Sequence, residues 1–153
     1  MATRQIRTIG DEILTKNCRY VDQIDDRILK ILDDMADTMY AADGVGLAAP
    51  QIGVLRNLVV IDVGEGLIEL INPEILETSG EQTGSEGCLS VPGKVGEVTR
   101  PMNVSVKAQN REGKWLRYEG SGLFARCVCH EVDHLSGKLF VSKANSLSDT
   151  EAE

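Results

Sequence analysis

The chain has 153 residues, enough for one domain with a core of its own and too few for two comfortable ones. Its composition, 42% hydrophobic and 26% charged, is that of an ordinary globular protein, and no apolar run approaches the length of a membrane span. The formal net charge of -8 argues against nonspecific binding to nucleic acid or to anionic membranes, and leaves room for no more than a small basic patch.

The opening "MATRQIRTIGDEIL" has no apolar h-region and meets acidic residues early, so no signal peptide is expected and the cytoplasm is the default location. From Ile24 to Tyr40 the residues Ile24, Ile28, Ile31, Leu32, Met35 and Met39 recur at helical spacing, with Asp22 or Asp25 available as the cap. Asp26, Lys30, Asp33, Asp34 and Asp37 fall opposite them and read as a solvated face. The helix ends in "AADGVG". The next segment, "GVGLAAPQIG" (44–53), lacks the strand-to-helix setting of a nucleotide loop. Its small residues would let an extended peptide lie close to the main chain; the alternative is a plain loop.

"NLVVIDV" (57–63) and "GLIELINPEIL" (66–76) read as strands joined by a Gly-Glu-Gly turn. "SEGCLSVPG" then forms a tight segment with exposed backbone, because Gly87 precedes Cys88 and Pro92-Gly93 follows it. "EVTRPMNVSVKAQNREGKWLRYEG" contains two further strands with "NREGK" as the hairpin turn, and its Pro101 marks an edge or a bulge. A second helix is expected from about Ser121 to Ser136, stopped by Gly137. Strands between two helices make an α+β domain over residues 1–143, followed by a polar tail, 144–153, expected to fray.

Cys18, Cys88, Cys127 and Cys129 are too few and too irregularly spaced for a disulfide framework, so most are expected to act as small buried hydrophobes. Both histidines of the chain fall four residues apart in "CVCHEVDHLSGKLF" (127–140). On a helix the pattern His130-Glu131-Val132-Asp133-His134 sets two imidazoles on one face, where a shared cation can partner them. The alternative, two solvated helix residues, fits poorly with the apolar neighbours Leu123, Phe124, Cys127 and Leu135.

A catalytic site of this kind needs a third protein ligand and one open position. No further histidine exists, Glu151 and Glu153 sit in the tail, and Cys127 and Cys129 share the histidine helix at an awkward spacing. Cys88 is the better candidate. Two other readings stay open: a peptidase with a carboxylate third ligand, and a closed structural site completed by Cys127 or Cys129.

Three segments together, "GVGLAAPQIG", "EGCLS" and "HEVDH", resemble in order and spacing the peptide deformylase family of bacteria, and "IRTIGDEIL" shares its look. The resemblance implies an α+β fold in which antiparallel or mixed sheets pack around a central C-terminal helix carrying HEVDH, with one N-terminal helix. It implies Cys88, His130 and His134 as ligands of one divalent metal, usually Fe2+, with Zn2+, Ni2+ or Co2+ able to replace it. Glu131 matches the catalytic glutamate, Gln51 and the Leu89 N–H match the groups that bind the carbonyl oxygen, and Gly46 matches a substrate contact. The implied reaction removes the N-formyl group from the N-terminal formylmethionine of newly made polypeptides, with metal-bound hydroxide attacking the formyl carbon and Glu131 as general base and acid.

Val45, Leu123 and Cys127 are the candidates for the methionine pocket. The implied partners are nascent formylmethionyl chains, with a monomeric state as the default. Transient ribosome association suits such an enzyme, but the short acidic tail offers no basic helix for it; no membrane and no direct nucleic-acid contact is expected. Two positions depart from the family pattern. Cys129 stands where many relatives carry glutamine, and Val95 where some carry an arginine that holds the peptide. Arg100 is expected to pair with Glu86 and brace the cysteine segment, and Asp133 to orient a ligand or cap a neighbour.

Overall fold

A computed structural model describes residues 2–149 of the chain. Helix α1 (Asp26–Ala41) starts where Asp25 accepts a hydrogen bond from the Ile28 N–H, so Asp25 rather than Asp22 is the cap. Its apolar stripe, from Ile28 to Met39, is buried as the periodicity predicts. Asp34 is the exception to the solvated face. It is buried, receiving the Ala2 N–H and the Arg4 guanidinium, because the N-terminal segment crosses α1 at this point.

Eight strands follow in two antiparallel sheets. The larger runs β1 (Gly46–Ala48), β2 (Leu58–Ile61), β3 (Ile68–Ser79), β6 (Asn103–Gln109) and β7 (Trp115–Ser121), in the order β1-β2-β3-β6-β7. The smaller contains β4 (Gln82–Cys88), β5 (Val91–Arg100) and β8 (Ala144–Asp149), in the order β4-β5-β8. Helix α2 (Leu123–Leu135) carries the two histidines and packs against β1, β2, β6 and β7 of the first sheet and β5 of the second.

The run Leu58-Val59-Val60-Ile61 is buried throughout because β2 is covered on both faces. Leu58 and Val60 face the α1 cluster with Leu32, Met35 and Leu47, while Val59 and Ile61 face the α2 cluster with Val106, Ala125 and Val128. This period of two splits one apolar strand between two helices. Each large side chain so buried contributes about 1.5–3 kcal/mol. At Asn72 the chain takes φ 55°, a left-handed turn that the short polar side chain stabilises by bonding both backbone groups of Val21. The β3–β6 register shifts there, between Ile71 and Glu74.

Three expectations change. The segment around Cys88 is the end of a long β4–β5 hairpin, with register from Gln82↔Arg100 to Cys88↔Val91, and only Leu89 and Ser90 form the turn. Residues 144–149, expected to fray, form β8 against β5; 150–153 lie outside the described residues. Pro101 falls between β5 and β6 and so costs neither strand a ladder bond. No described helix is long and apolar enough to cross a membrane.

Candidate metal centre

Each segment arrives at the site through its own local chemistry. On α2, His130 and His134 lie one turn apart with ring centroids 5.0 Å from each other, His130 7% and His134 1% exposed. At the end of β4, Cys88 turns its sulfur toward them. Sγ is 3.3 Å from His134 Nε2, and one donor atom from each of the three residues lies within 4.8 Å of the others. Among the described residues this is the one cluster able to hold a metal, and neither Cys127 nor Cys129 belongs to it. Cys129 packs into the apolar cluster beneath α2, and burial raises its thiol pKa.

One carboxylate organises the rest. Glu86 accepts His130 Nδ1–H at 2.7 Å, which leaves Nε2 as the ring nitrogen free to bind a cation. Burial opposes the charge of Glu86, but Arg100 on both oxygens, at 2.8 and 2.9 Å, and His130 hold its pKa far below the usual carboxylate range. Arg126 adds a fourth contact at 2.7 Å. Asp133 receives Arg100 at 2.7 Å, so it braces the arginine that braces Glu86.

The Arg100–Glu86 pair was legible in the sequence, whereas Arg126 was not singled out. Its signal was a cation one turn before His130 on an otherwise apolar helix face.

The donor set asks for positive charge. Burial works against a charged His130, yet Glu131, the Cys88 sulfur and Glu86 together raise its pKa well above that of a free histidine. His134 shifts the other way, depressed by burial and by the neighbouring His130. A shared cation would partner the Cys88 sulfur and one nitrogen of each ring, while His134 Nδ1 has no hydrogen-bond partner among the described residues; sulfur with nitrogen donors suits zinc or iron. The metal-ligand chemistry therefore fits the residues present.

Glu131 packs against the chain at Gly46. A Cβ built on Gly46 would stand 2.7 Å from Glu131 Oε2, so only glycine leaves room there. Burial pushes the Glu131 carboxyl up to about 7, partly offset by His130, and its Oε1 has no hydrogen-bond partner among the described residues.

Gln51, 1% exposed, sits in the 3-10 turn after β1. Its oxygen accepts the Ala48 N–H at 2.9 Å, which turns its NH2 toward Ser90 Oγ at 3.1 Å and Cys88 Sγ at 3.6 Å. Ser90, unremarked in the sequence, thus joins the two loops, and its own N–H approaches Cys88 Sγ at 3.4 Å. The N-terminal segment ties the same loops from outside, Arg7 N–H to the Gln51 carbonyl and Ile9 N–H to the Ser90 carbonyl, both at 2.7 Å.

A cavity of about 400 Å³ opens over these groups. Gly46, Gln51, Cys88, Leu89, His130 and Glu131 all line it, as do Val45, Leu123 and Cys127 on the side proposed for methionine. Val95 also lines it, so no arginine is offered from that position. The edge strands β1 and β4 flank the opening, leaving main chain on both sides.

Comparison with known proteins agrees with this geometry. The family model for polypeptide deformylase matches residues 3–150. The chain is 62% identical to a peptide deformylase of Thermoanaerobacter pseudethanolicus, over 99% of this chain and 95% of that one. It is 63% identical to one of Acetivibrio thermocellus, over 94% and 84% respectively. Among solved structures it resembles peptide deformylase from Thermotoga maritima, with a TM-score of 0.92, 41% identity and coverage of 94% and 99%. The enzyme of Synechococcus elongatus in complex with actinonin gives a TM-score of 0.89, 42% identity and coverage of 92% and 78%.

Proposed function

Because the chain belongs to the polypeptide deformylase family, we propose that Cys88, His130 and His134 hold its catalytic metal and that Glu131 moves the protons of the reaction. The protein is a metal-dependent hydrolase that removes the N-formyl group from the N-terminal formylmethionine of newly made polypeptides and releases formate. The observation that carries the site assignment is the convergence of one sulfur and two ring nitrogens within 4.8 Å, beside a buried glutamate.

When bound, a divalent ion at these donors lowers the pKa of a water and polarises the formyl oxygen. Glu131 takes a proton from the attacking water and returns one to the departing amine nitrogen. That role calls for a carboxyl titrating near neutrality, and a value of about 7 meets it. As the formyl carbon becomes tetrahedral, its oxygen gains negative charge. The Gln51 NH2 and the Leu89 N–H donate to that oxygen, each well-placed donor supplying about 3 kcal/mol. Gln51 is suited to this because the Ala48 N–H already holds its amide in one orientation.

Gly46 gives the substrate main chain close access, and Val45, Leu123 and Cys127 receive the methionine side chain. Glu86 fixes the His130 ring, and Arg100 and Arg126 keep Glu86 ionised. The native ion is Fe2+, with Zn2+, Ni2+ and Co2+ as replacements, since a thiolate with two imidazoles accepts each of them. The enzyme works as a cytoplasmic monomer on chains leaving the ribosome.

Formate release from a formyl-Met-Ala-Ser peptide by protein purified without oxygen tests the reading. Activity should vanish with chelator and return with Fe2+ and, to differing extents, with Ni2+, Co2+ or Zn2+. Formate production indifferent to chelator would overturn it.

A further inference from the structure

A second cleft, of about 600 Å³, lies at the other end of α1 and shares no lining residue with the first. Its walls carry Arg4, Arg19, Arg27, Lys30 and Arg56. Asp22 and Asp25 are the acids among them, so the cleft is net basic on a chain of net charge -8.

How these cations are used elsewhere sets the cleft apart. The other arginines are engaged: Arg4 with Asp34, Arg7 with Asp11, Arg100 and Arg126 with Glu86, Arg111 with Asp33 and Glu69, Arg117 with Glu77 and Glu119. Arg19, Arg27 and Arg56 make no ion pair and no side-chain hydrogen bond with any described residue, and all three line this one cleft. An acidic protein has many carboxylates with which to neutralise an arginine. Three guanidinium forks left unpaired around one concavity are arranged for an external anion.

Guanidinium geometry matches phosphate oxygens bidentately, whereas an ammonium offers only a point charge. No aromatic residue lines the cleft, so nothing there stacks a base, which favours recognition of a phosphodiester backbone over that of a free nucleotide. The choice of partner rests on the deformylase reading, because an enzyme of nascent chains meets its substrate at an RNA-rich surface. We propose that the cleft formed by Arg19, Arg27 and Arg56 docks this enzyme on the phosphate backbone of RNA. This departs from the charge-based expectation of no nucleic-acid contact: the acidic remainder of the surface repels RNA and confines contact to one face. With α1 spanning its 16 residues, or about 24 Å, between the two openings, a docked enzyme keeps its substrate cavity clear.

Fluorescence anisotropy with a labelled 20-nucleotide RNA hairpin, titrated with metal-loaded full-length enzyme at 50 and 200 mM KCl, tests the proposal. The wild type should bind, and bind at least tenfold more weakly at the higher salt. The triple variant Arg19→Glu/Arg27→Glu/Arg56→Glu should lose at least tenfold at 50 mM, and the milder Arg→Gln triple should lose part of that. Lys16→Glu/Lys114→Glu/Lys138→Glu, which changes net charge equally outside the cleft, should stay within about threefold of wild type by comparison with the cleft triple.

Formate release from the same peptide should be unchanged in all variants, so a failed deformylase reading would show in wild-type activity and not in the anisotropy. The docking proposal is overturned by absence of binding at 50 mM KCl or by equal losses in the two Glu triples. Displacement of the RNA by ATP or by a polyglutamate peptide at equal phosphate or carboxylate concentration would also overturn it.

Discussion

Glu131 and Glu86, two buried carboxylates that both act on His130, are driven in opposite directions by their surroundings. Glu86 faces two arginines and stays charged, while Glu131 faces the chain at Gly46 and titrates near neutrality. The first bonds the His130 ring, and the second carries the proposed proton-transfer role. Glu131→Ala should therefore retain its metal, read by elemental analysis, and lose about 10²–10⁴-fold in kcat, the range general acid-base catalysis supplies. Loss of the metal instead would make Glu131 a structural residue. Glu86→Ala removes the partner of His130 and leaves Arg100 and Arg126 buried without it. Metal affinity, measured by chelator competition, should fall about 10–100-fold, and thermal stability should fall with it. Retained affinity would show that the His130 ring is held by packing alone.

At this scale the two histidines were easy to read, being the chain's only imidazoles and one turn apart. Arg126 and Ser90 were hidden because their partners, Glu86 and Gln51, come from segments 40 and 39 residues away in the chain. A cation one turn before His130 marks Arg126 locally, but no local pattern encodes either pairing.

Among the elements, α1 and α2 were legible because each buries a stripe at helical period. β2 and β3 were legible from their β-branched runs. β4 was not: "QTGSEGC" alternates small and polar residues, and only Glu86 in it is fully buried, so the pairing with β5 is what makes it a strand. β8, "ANSLSD", likewise owes its conformation to β5 and not to its own residues.

Asp34 was misplaced for a related reason. Helical period assigns a face, but it does not reveal that the N-terminal segment will cross that face. Burial raises the Asp34 carboxyl, and the Arg4 and Ala2 hydrogen bonds with the Lys30 charge outweigh it, so the net shift is downward. A carboxylate with a lowered folded pKa adds stability that is complete above its unfolded value and is lost as pH falls through the folded one. The stability of wild type should thus drop on acidification below about pH 4, the unfolded carboxylate range. Asp34→Asn should be less stable at pH 7 and show a shallower acid slope in urea melts between pH 5 and 3. An unchanged slope would remove Asp34 from the acid response.

For the molecule as a whole, two sheets and two helices bring together segments far apart in sequence. The α2 helix carries two of the proposed ligands, the β4–β5 hairpin the third, and the turn after β1 the amide of Gln51. Each motif marked its own segment in the sequence, while the distances between them existed only after folding. The N-terminal segment then ties two of the three from outside through Arg7 and Ile9.

The claim that everything else depends on is that sulfur 88, and no other sulfur, shares one ion with His130 and His134. Cobalt substitution reads this directly, because a thiolate bound to Co2+ gives a charge-transfer absorption. The wild-type protein should take up one Co2+ per chain and show that band. Cys127→Ser and Cys129→Ser should keep it, and Cys88→Ser should lose it. A band that survives in Cys88→Ser, or disappears in Cys129→Ser, would contradict the account.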